Sequence, residues 1–169
     1  MDMKAETVIG PASIVEKAER AYLGIHIESP FGGMFALVTQ ALKELRRWAK
    51  ENTLTDASPY FVRYYRCDLK ALMVIDVGLV TNTSLPGTGR IRRGVLPQGR
   101  YASLVYRGNG LRGNQALMKW AADHGVIFDP LVNDEMETYV CRYEAYLTDY
   151  RVESRKLLWD IELSIKVRD

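Results

Sequence analysis

The chain has 169 residues, is 47% hydrophobic and 26% charged, and carries a formal net charge of +2. That length suits one good-sized core or two small ones packed together, and the composition is that of a folded chain, not a disordered one. The weak net charge excludes a strongly basic nucleic-acid surface, two cysteines exclude a disulfide framework, and no apolar run nears the roughly 20 residues that span a bilayer. A cytoplasmic setting is expected, with neither nucleic acid nor membrane as a direct partner.

Residues 1–9 read as a loosely attached start. Alternating Ala21, Leu23, Ile25 and Ile27 predict a strand over 18–27, and Pro30, Gly32 and Gly33 predict a turn over 28–33. Over 34–50 the apolar residues Met34, Val38, Ala41, Leu42, Leu45 and Trp48 recur at helical spacing, with charged residues largely on the other side. Strands follow over 60–66 and 71–80. Residues 81–99, rich in Gly and Pro, read as a joint. A strand over 101–107, a turn at 108–110, a helix over 115–124 with Leu117, Trp120 and Ala121 on its buried stripe, and strands over 137–147 and 156–167 complete the chain. Gly125 stands where a left-handed helix cap is wanted.

The second half repeats the first. Tyr60-Phe61-Val62-Arg63-Tyr64-Tyr65 aligns with Tyr139-Val140-Cys141-Arg142-Tyr143-Glu144, an offset of 79 residues at the arginines that grows to 84 between Asp76 and Asp160. Self-similarity at this scale predicts a duplicated module. The fold expected is α+β: two tandem strand–helix–strand–strand modules, about 14–80 and 100–167, joined by 81–99 within a single domain over 1–169. They would be related by a pseudo-two-fold axis with a ligand cleft at the centre.

Strand periodicity sorts the candidate residues. One face of 138–147 carries Tyr139, Cys141, Tyr143, Ala145 and Leu147, an apolar set suited to a helix-covered core. The other carries Arg142, Glu144 and Tyr146, with Phe61, Arg63 and Tyr65 on the matching face of the first module. Glu144, Tyr146, Tyr65 and Phe61 are expected to look into the cleft, with Arg63 and Arg142 lining it or at its rim. Glu144 is a carboxylate at one symmetric position and not the other. Among tyrosines it suits a cationic or polar ligand group, and partial burial would raise its pKa toward general acid–base work. The alternative is a surface glutamate paired with Arg142 or Arg63. Glu162, opposite Gly78 in the repeat, is a second cleft candidate, and Trp159 is a candidate stacking residue at the cleft edge. Asp76 and Asp160 read as architectural, and Trp48 and Trp120 as core anchors. Arg90, Arg92, Arg93 and Arg100 read as a solvated loop, with an anion-binding or ligand-gating loop as the alternative. His26 and His124 lie with no Ser or Cys nucleophile, no clustered metal ligands occur, and no P-loop or dinucleotide turn is present, so no metal or cofactor is expected.

Residues 96–108 (Leu-Pro-Gln-Gly-Arg-Tyr-Ala-Ser-Leu-Val-Tyr-Arg-Gly), Ala116-Leu117 with Trp120, and above all Arg142-Tyr143-Glu144-Ala145-Tyr146-Leu147-Thr148-Asp149 resemble the GyrI-like small-molecule-binding family, the effector-binding domain of AraC- and MerR-type multidrug-sensing regulators. Pro59-Tyr60-Phe61-Val62-Arg63-Tyr64 is similar too, and the resemblance runs from about Ile14 to Val167. It implies tandem modules with a cleft ligand site, the pocket glutamate at Glu144, and lipophilic, often planar or cationic ligands. Some stand-alone members hydrolyse cyclopropane-containing genotoxic compounds with the pocket glutamate and an aromatic hydroxyl, which here would be Tyr65 or Tyr106. Two departures are Tyr150, where Pro is common, and Gly78, where Glu is frequent; the latter would open the pocket or remove a polar contact. At 169 residues no helix-turn-helix domain is expected beside the binding module, which would then be stand-alone or a detached effector domain. The reading is a stand-alone binding, sequestering or effector-sensing module. The alternatives are such a hydrolase, or an interaction module acting on gyrase; a separate transcription regulator is a further expected partner.

Overall fold

The computed structural model describes residues 6–54, 59–133 and 137–169. Nine strands form one antiparallel sheet: β1 (Val8–Ile9), β2 (Ser13–Lys17), β3 (Arg20–Pro30), β4 (Tyr60–Arg66), β5 (Leu72–Val80), β6 (Ile91–Leu96), β7 (Gly99–Arg107), β8 (Arg142–Tyr146) and β9 (Ile161–Lys166). Their order is β1-β7-β9-β8-β4-β5-β3-β6, with β2 also on β7. Two helices, α1 (Met34–Glu51) and α2 (Gly110–Asp123), complete the α+β architecture. The second strand of each half, β4 and β8, meet at the centre, and the first strands, β3 and β7, lie toward the outside.

Several elements differ from the sequence expectation, the first three because a neighbouring strand offers hydrogen bonds. Residues 1–5 of the expected loose start lie outside the described residues; beyond them, Val8–Ile9 and Ser13–Lys17 cover the edge of β7 that would otherwise be unpaired. β3 continues through the predicted turn because β5 runs beside it as far as the Pro30–Leu72 pair. The predicted joint contains β6, which forms the opposite edge on β3 and buries Ile91 and Leu96. In the last quarter, regular pairing is shorter than expected: β8 covers only Arg142–Tyr146, and a 3-10 turn (Lys156–Leu158) precedes β9.

Register decides which side chains share a face. β4 and β8 pair with Val62 opposite Glu144 and Arg63 opposite Tyr143. Residues directly opposite project from the same face, so Arg63 and Arg142 project from opposite faces. A repeat aligned on its arginines is therefore one residue out of step with the sheet, and one residue inverts every side chain.

Both helices lie on one face. α1 packs on β3 and β5, α2 on β7. The stripe Met34, Val38, Ala41, Leu42, Leu45 and Trp48 is buried as its spacing predicted. The other face carries an edge-to-face aromatic ladder, Tyr22–Phe61–Tyr143–Tyr101, with centroids 4.9, 6.1 and 6.0 Å apart. Cys141, Tyr143 and Ala145 belong to this layer and not to the helix-covered core. So does Gly78: a Cβ there would lie 2.4 Å from the Phe61 ring. Gly78 thus makes room for Phe61 on the helix-free face and does not open the cleft.

Candidate functional site

α1 and α2 rest on opposite flanks of the sheet, and the central strands between them are left without a helical cover. The gap is a cavity of about 470 Å³. Its floor comes from Tyr64, Tyr106, Arg142, Glu144 and Ile161, and its walls include Met34 and Phe35 from α1 and Leu111 and Asn114 from α2. The mouth is apolar and open to solvent: Leu69 is 61% exposed, Leu111 66% and Leu157 57%. Exposed apolar side chains gathered round a concavity mark a lipophilic binding site more often than scattered ones do.

One polar chain crosses this apolar floor. Tyr106 Oη donates to Glu144 Oε2 at 2.8 Å, and Asn114 Nδ2 donates to Glu144 Oε1 at 3.3 Å. Arg142 donates to Asn114 Oδ1 at 2.6 Å and to the Tyr139 hydroxyl at 2.7 Å. Arg142 is therefore buried behind Asn114 and makes no ion pair with Glu144; among the described residues no cation lies within ion-pairing distance of that carboxylate. Its two carboxylate oxygens take hydrogen bonds from neutral side chains only, Tyr106 and Asn114. Burial, and then the Glu144 charge, push the Tyr106 and Tyr64 hydroxyls far above the usual tyrosine value, so both stay protonated donors.

Local sequence explains the placement. Asn109 caps α2, its side chain accepting from the Arg112 N–H at 3.1 Å. Gly113 then faces the Tyr106 ring, where a Cβ would lie 2.6 Å away, so only glycine lets α2 settle onto that ring. One residue on, Asn114 reaches Glu144.

The expected site residues divide into three groups. Glu144, Arg142 and Tyr106 meet at the cavity. Tyr146 lies on the same face, but with Trp159 it borders a neighbouring hollow; their rings are 5.3 Å apart and the Trp159 indole donates to the Glu153 carbonyl at 2.5 Å. Phe61, Arg63, Tyr65 and Glu162 project from the opposite face. There Tyr65 and Tyr22 donate to Asp76 at 2.8 and 2.5 Å, Arg63 donates to the Val95 and Val140 carbonyls, and Glu162 pairs with Lys17 at 2.6 Å. Asp76 and Asp160 differ as well: Asp160 forms an exposed pair with Arg107. Asn114, Phe35, Leu111 and Lys156 are cavity residues the sequence reading missed. Asn114 had a signal, one helical turn beyond Gly110 on the side marked by Gly113, whereas Lys156 depends on the path of an irregular turn.

The helix-free face has a broader groove, lined in part by Asp76, His26, Arg90, Arg92 and Arg93. Its polar groups are largely engaged: Asp76 takes hydrogen bonds from Tyr22 and Tyr65 and binds His26 Nδ1 at 2.8 Å, Arg90 pairs with Glu44, and Arg93 donates to the Thr83 carbonyl. The cysteines are free thiols, and no metal-binding cluster occurs among the described residues. No helix among them is long and apolar enough to cross a membrane.

Comparison with known proteins places this geometry. The family profile described as "GyrI-like small molecule binding domain" matches residues 11–168. No curated protein matches the chain significantly by sequence. Among solved structures, the C-terminal domain of EcmrR superposes with TM-score 0.66 at 18% identity, covering 95% of this chain and 98% of that domain. EcmrR in a DNA complex gives TM-score 0.68 at 18% identity over 94% of this chain, which spans only 57% of that protein. A hydrolase encoded by lin2189 from Listeria innocua gives TM-score 0.65 at 12% identity, covering 93% of this chain and 91% of that one.

Proposed function

The chain belongs to the family of GyrI-like small molecule binding domains, and on that footing we propose that it captures a lipophilic, aromatic ligand in the cavity between α1 and α2. The apolar mouth and walls hold the ligand body. Glu144 fixes one polar group, a cationic or hydrogen-bond-donating one, with Tyr106 and Asn114 holding the carboxylate in place. The observation that carries this reading is a carboxylate without an ion pair at the floor of an apolar cavity. A ligand group that donates to Glu144 or pairs with it would add a polar anchor to an otherwise apolar site. The likeness to EcmrR supports an effector-sensing role beside a transcription regulator, with sequestration as the simpler form of the same binding.

The second reading is hydrolysis of a strained electrophilic ring, such as a cyclopropane. The Tyr106–Glu144 hydrogen bond favours it, because a phenol and a carboxylate at one point in the cavity can donate and accept a proton in turn. Tyr65, on the other face, takes no part. Native mass spectrometry of the protein with planar amines and with cyclopropane electrophiles, followed over time, separates the two. A stable one-to-one complex of unchanged ligand mass supports capture; ligand plus water, lost in Glu144→Gln, supports hydrolysis. A Glu144→Gln variant that bound every amine as tightly as wild type would remove Glu144 from the site.

A further inference from the structure

Lys156 reaches the same cavity from the 3-10 turn between β8 and β9. Its ammonium lies 5.2 Å from the Phe35 ring centroid and 5.4 Å from that of Tyr146. Two rings at that range are the seat an aromatic pocket offers to a bound cation. Among the described residues neither Lys156 nor Glu144 has an ion-pair partner within bonding distance. Arg142 cannot play the same part, because Asn114 and Tyr139 hold its guanidinium beneath the floor.

We infer that Lys156 is the cavity's own cation and sets its charge selectivity: with the ammonium on the Phe35–Tyr146 seat, the site takes lipophilic ligands whose polar group is an uncharged hydrogen-bond donor aimed at Glu144, and it disfavours permanent lipophilic cations. The inference rests on the cavity's being the ligand site. An arriving cation would meet a like charge in the same cavity and would lose the aromatic contacts Lys156 already occupies. Lys156 is an exposed residue on a short turn, so it can be displaced, and the selectivity is a bias with a definite pH dependence. The residue as a whole is exposed, but its ammonium loses water where it lies against the Phe35 and Tyr146 rings, which lowers its pKa below the ordinary 10.5, with the Glu144 charge opposing. Burial pushes the groups facing it the other way, upward: Tyr64 on β4, Cys67 just beyond it, Tyr106 on β7 and Tyr146 on β8. α1 presents Met34 and Phe35, and α2 presents Leu111 and Asn114, none of which titrates.

The test is calorimetric titration with tetraphenylphosphonium, a permanent cation, and triphenylmethanol, an uncharged aryl alcohol of similar shape. For wild type, phosphonium affinity should rise about tenfold between about pH 7 and about pH 11, as pH passes the lowered Lys156 value, while alcohol affinity stays level. Lys156→Met should bind phosphonium about tenfold more tightly at about pH 7 and show no pH slope. Lys156→Arg should stay weak for the cation at both pH values, because its charge does not titrate. Unchanged phosphonium affinity in Lys156→Met, or a wild-type slope in Lys156→Arg, overturns the role given to Lys156 and leaves the cavity reading intact. If neither probe binds wild type or any variant, the cavity reading itself falls, and the inference with it.

Discussion

Gly113→Ala is a sharp test of how the site is held, because two effects of opposite sign compete. On propensity alone the substitution should stabilise α2 by about 1 kcal/mol. The new Cβ, however, would lie 2.6 Å from Cγ and Cδ1 of Tyr106 and 3.0 Å from Cε1. The ring cannot easily yield, since Tyr106 is 2% exposed and packed in the main core. Either α2 lifts or the ring turns, and both break the 2.8 Å bond from Tyr106 to Glu144. Overpacking costs about 1–3 kcal/mol, and losing a hydrogen bond to a charged group about 1.5–3 kcal/mol. Net of the propensity gain, we expect about 1.5–5 kcal/mol of destabilisation in a urea titration at unchanged m-value, together with weaker ligand binding. A variant more stable than wild type by about 1 kcal/mol, with binding intact, would refute the claim that Gly113 seats the helix on Tyr106.

Other substitutions probe the rest of the frame. Gly78→Ala should cost about 1–3 kcal/mol in urea unfolding, because its Cβ collides with the Phe61 ring on the helix-free face, and should leave ligand affinity unchanged. Weakened binding without lost stability would put Gly78 at the cleft after all. Tyr106→Phe should lower stability by about 1.5–3 kcal/mol, because Glu144 loses its closest donor, and the loss should nearly vanish in the Glu144→Leu background when read as a double-mutant cycle. His26 is held above its ordinary 6.5: burial pulls it down, but the hydrogen bonds and charges of Asp76 and Glu28 outweigh that. The resulting stabilisation is present in full below the unfolded-state value and is lost as pH rises through the raised folded-state value. Urea midpoints should therefore fall across that window in wild type and lose this step in His26→Gln; identical profiles would contradict the Asp76–His26 account.

Much of the architecture was legible because its signals are local. The α1 stripe, the strand Tyr60–Arg66 and the left-handed cap at Gly125, with φ +64°, follow from spacing and residue type alone. β2 and β6 were not legible. Their residues take strand form because β7 and β3 present open edges, which is a tertiary fact. At the site, Glu144 could be singled out as an unmatched carboxylate, yet its company could not. Aligning Arg63 with Arg142 placed Phe61 and Tyr65 beside it, and the observed Val62–Glu144 pairing moves both to the other side of the sheet. Asn114 and Lys156 enter the cavity from a helix and an irregular turn, whose positions over the sheet no strand periodicity records.

The account stands on the cavity between the helices being where ligand sits. Backbone amide chemical-shift mapping during titration with triphenylmethanol reads this directly. It should produce its largest shifts at Phe35, Leu111, Asn114, Glu144 and Lys156, with His26, Asp76 and Arg92 across the sheet little changed. Shifts concentrated at His26, Asp76 and Arg92 would move binding to the opposite face and contradict the account.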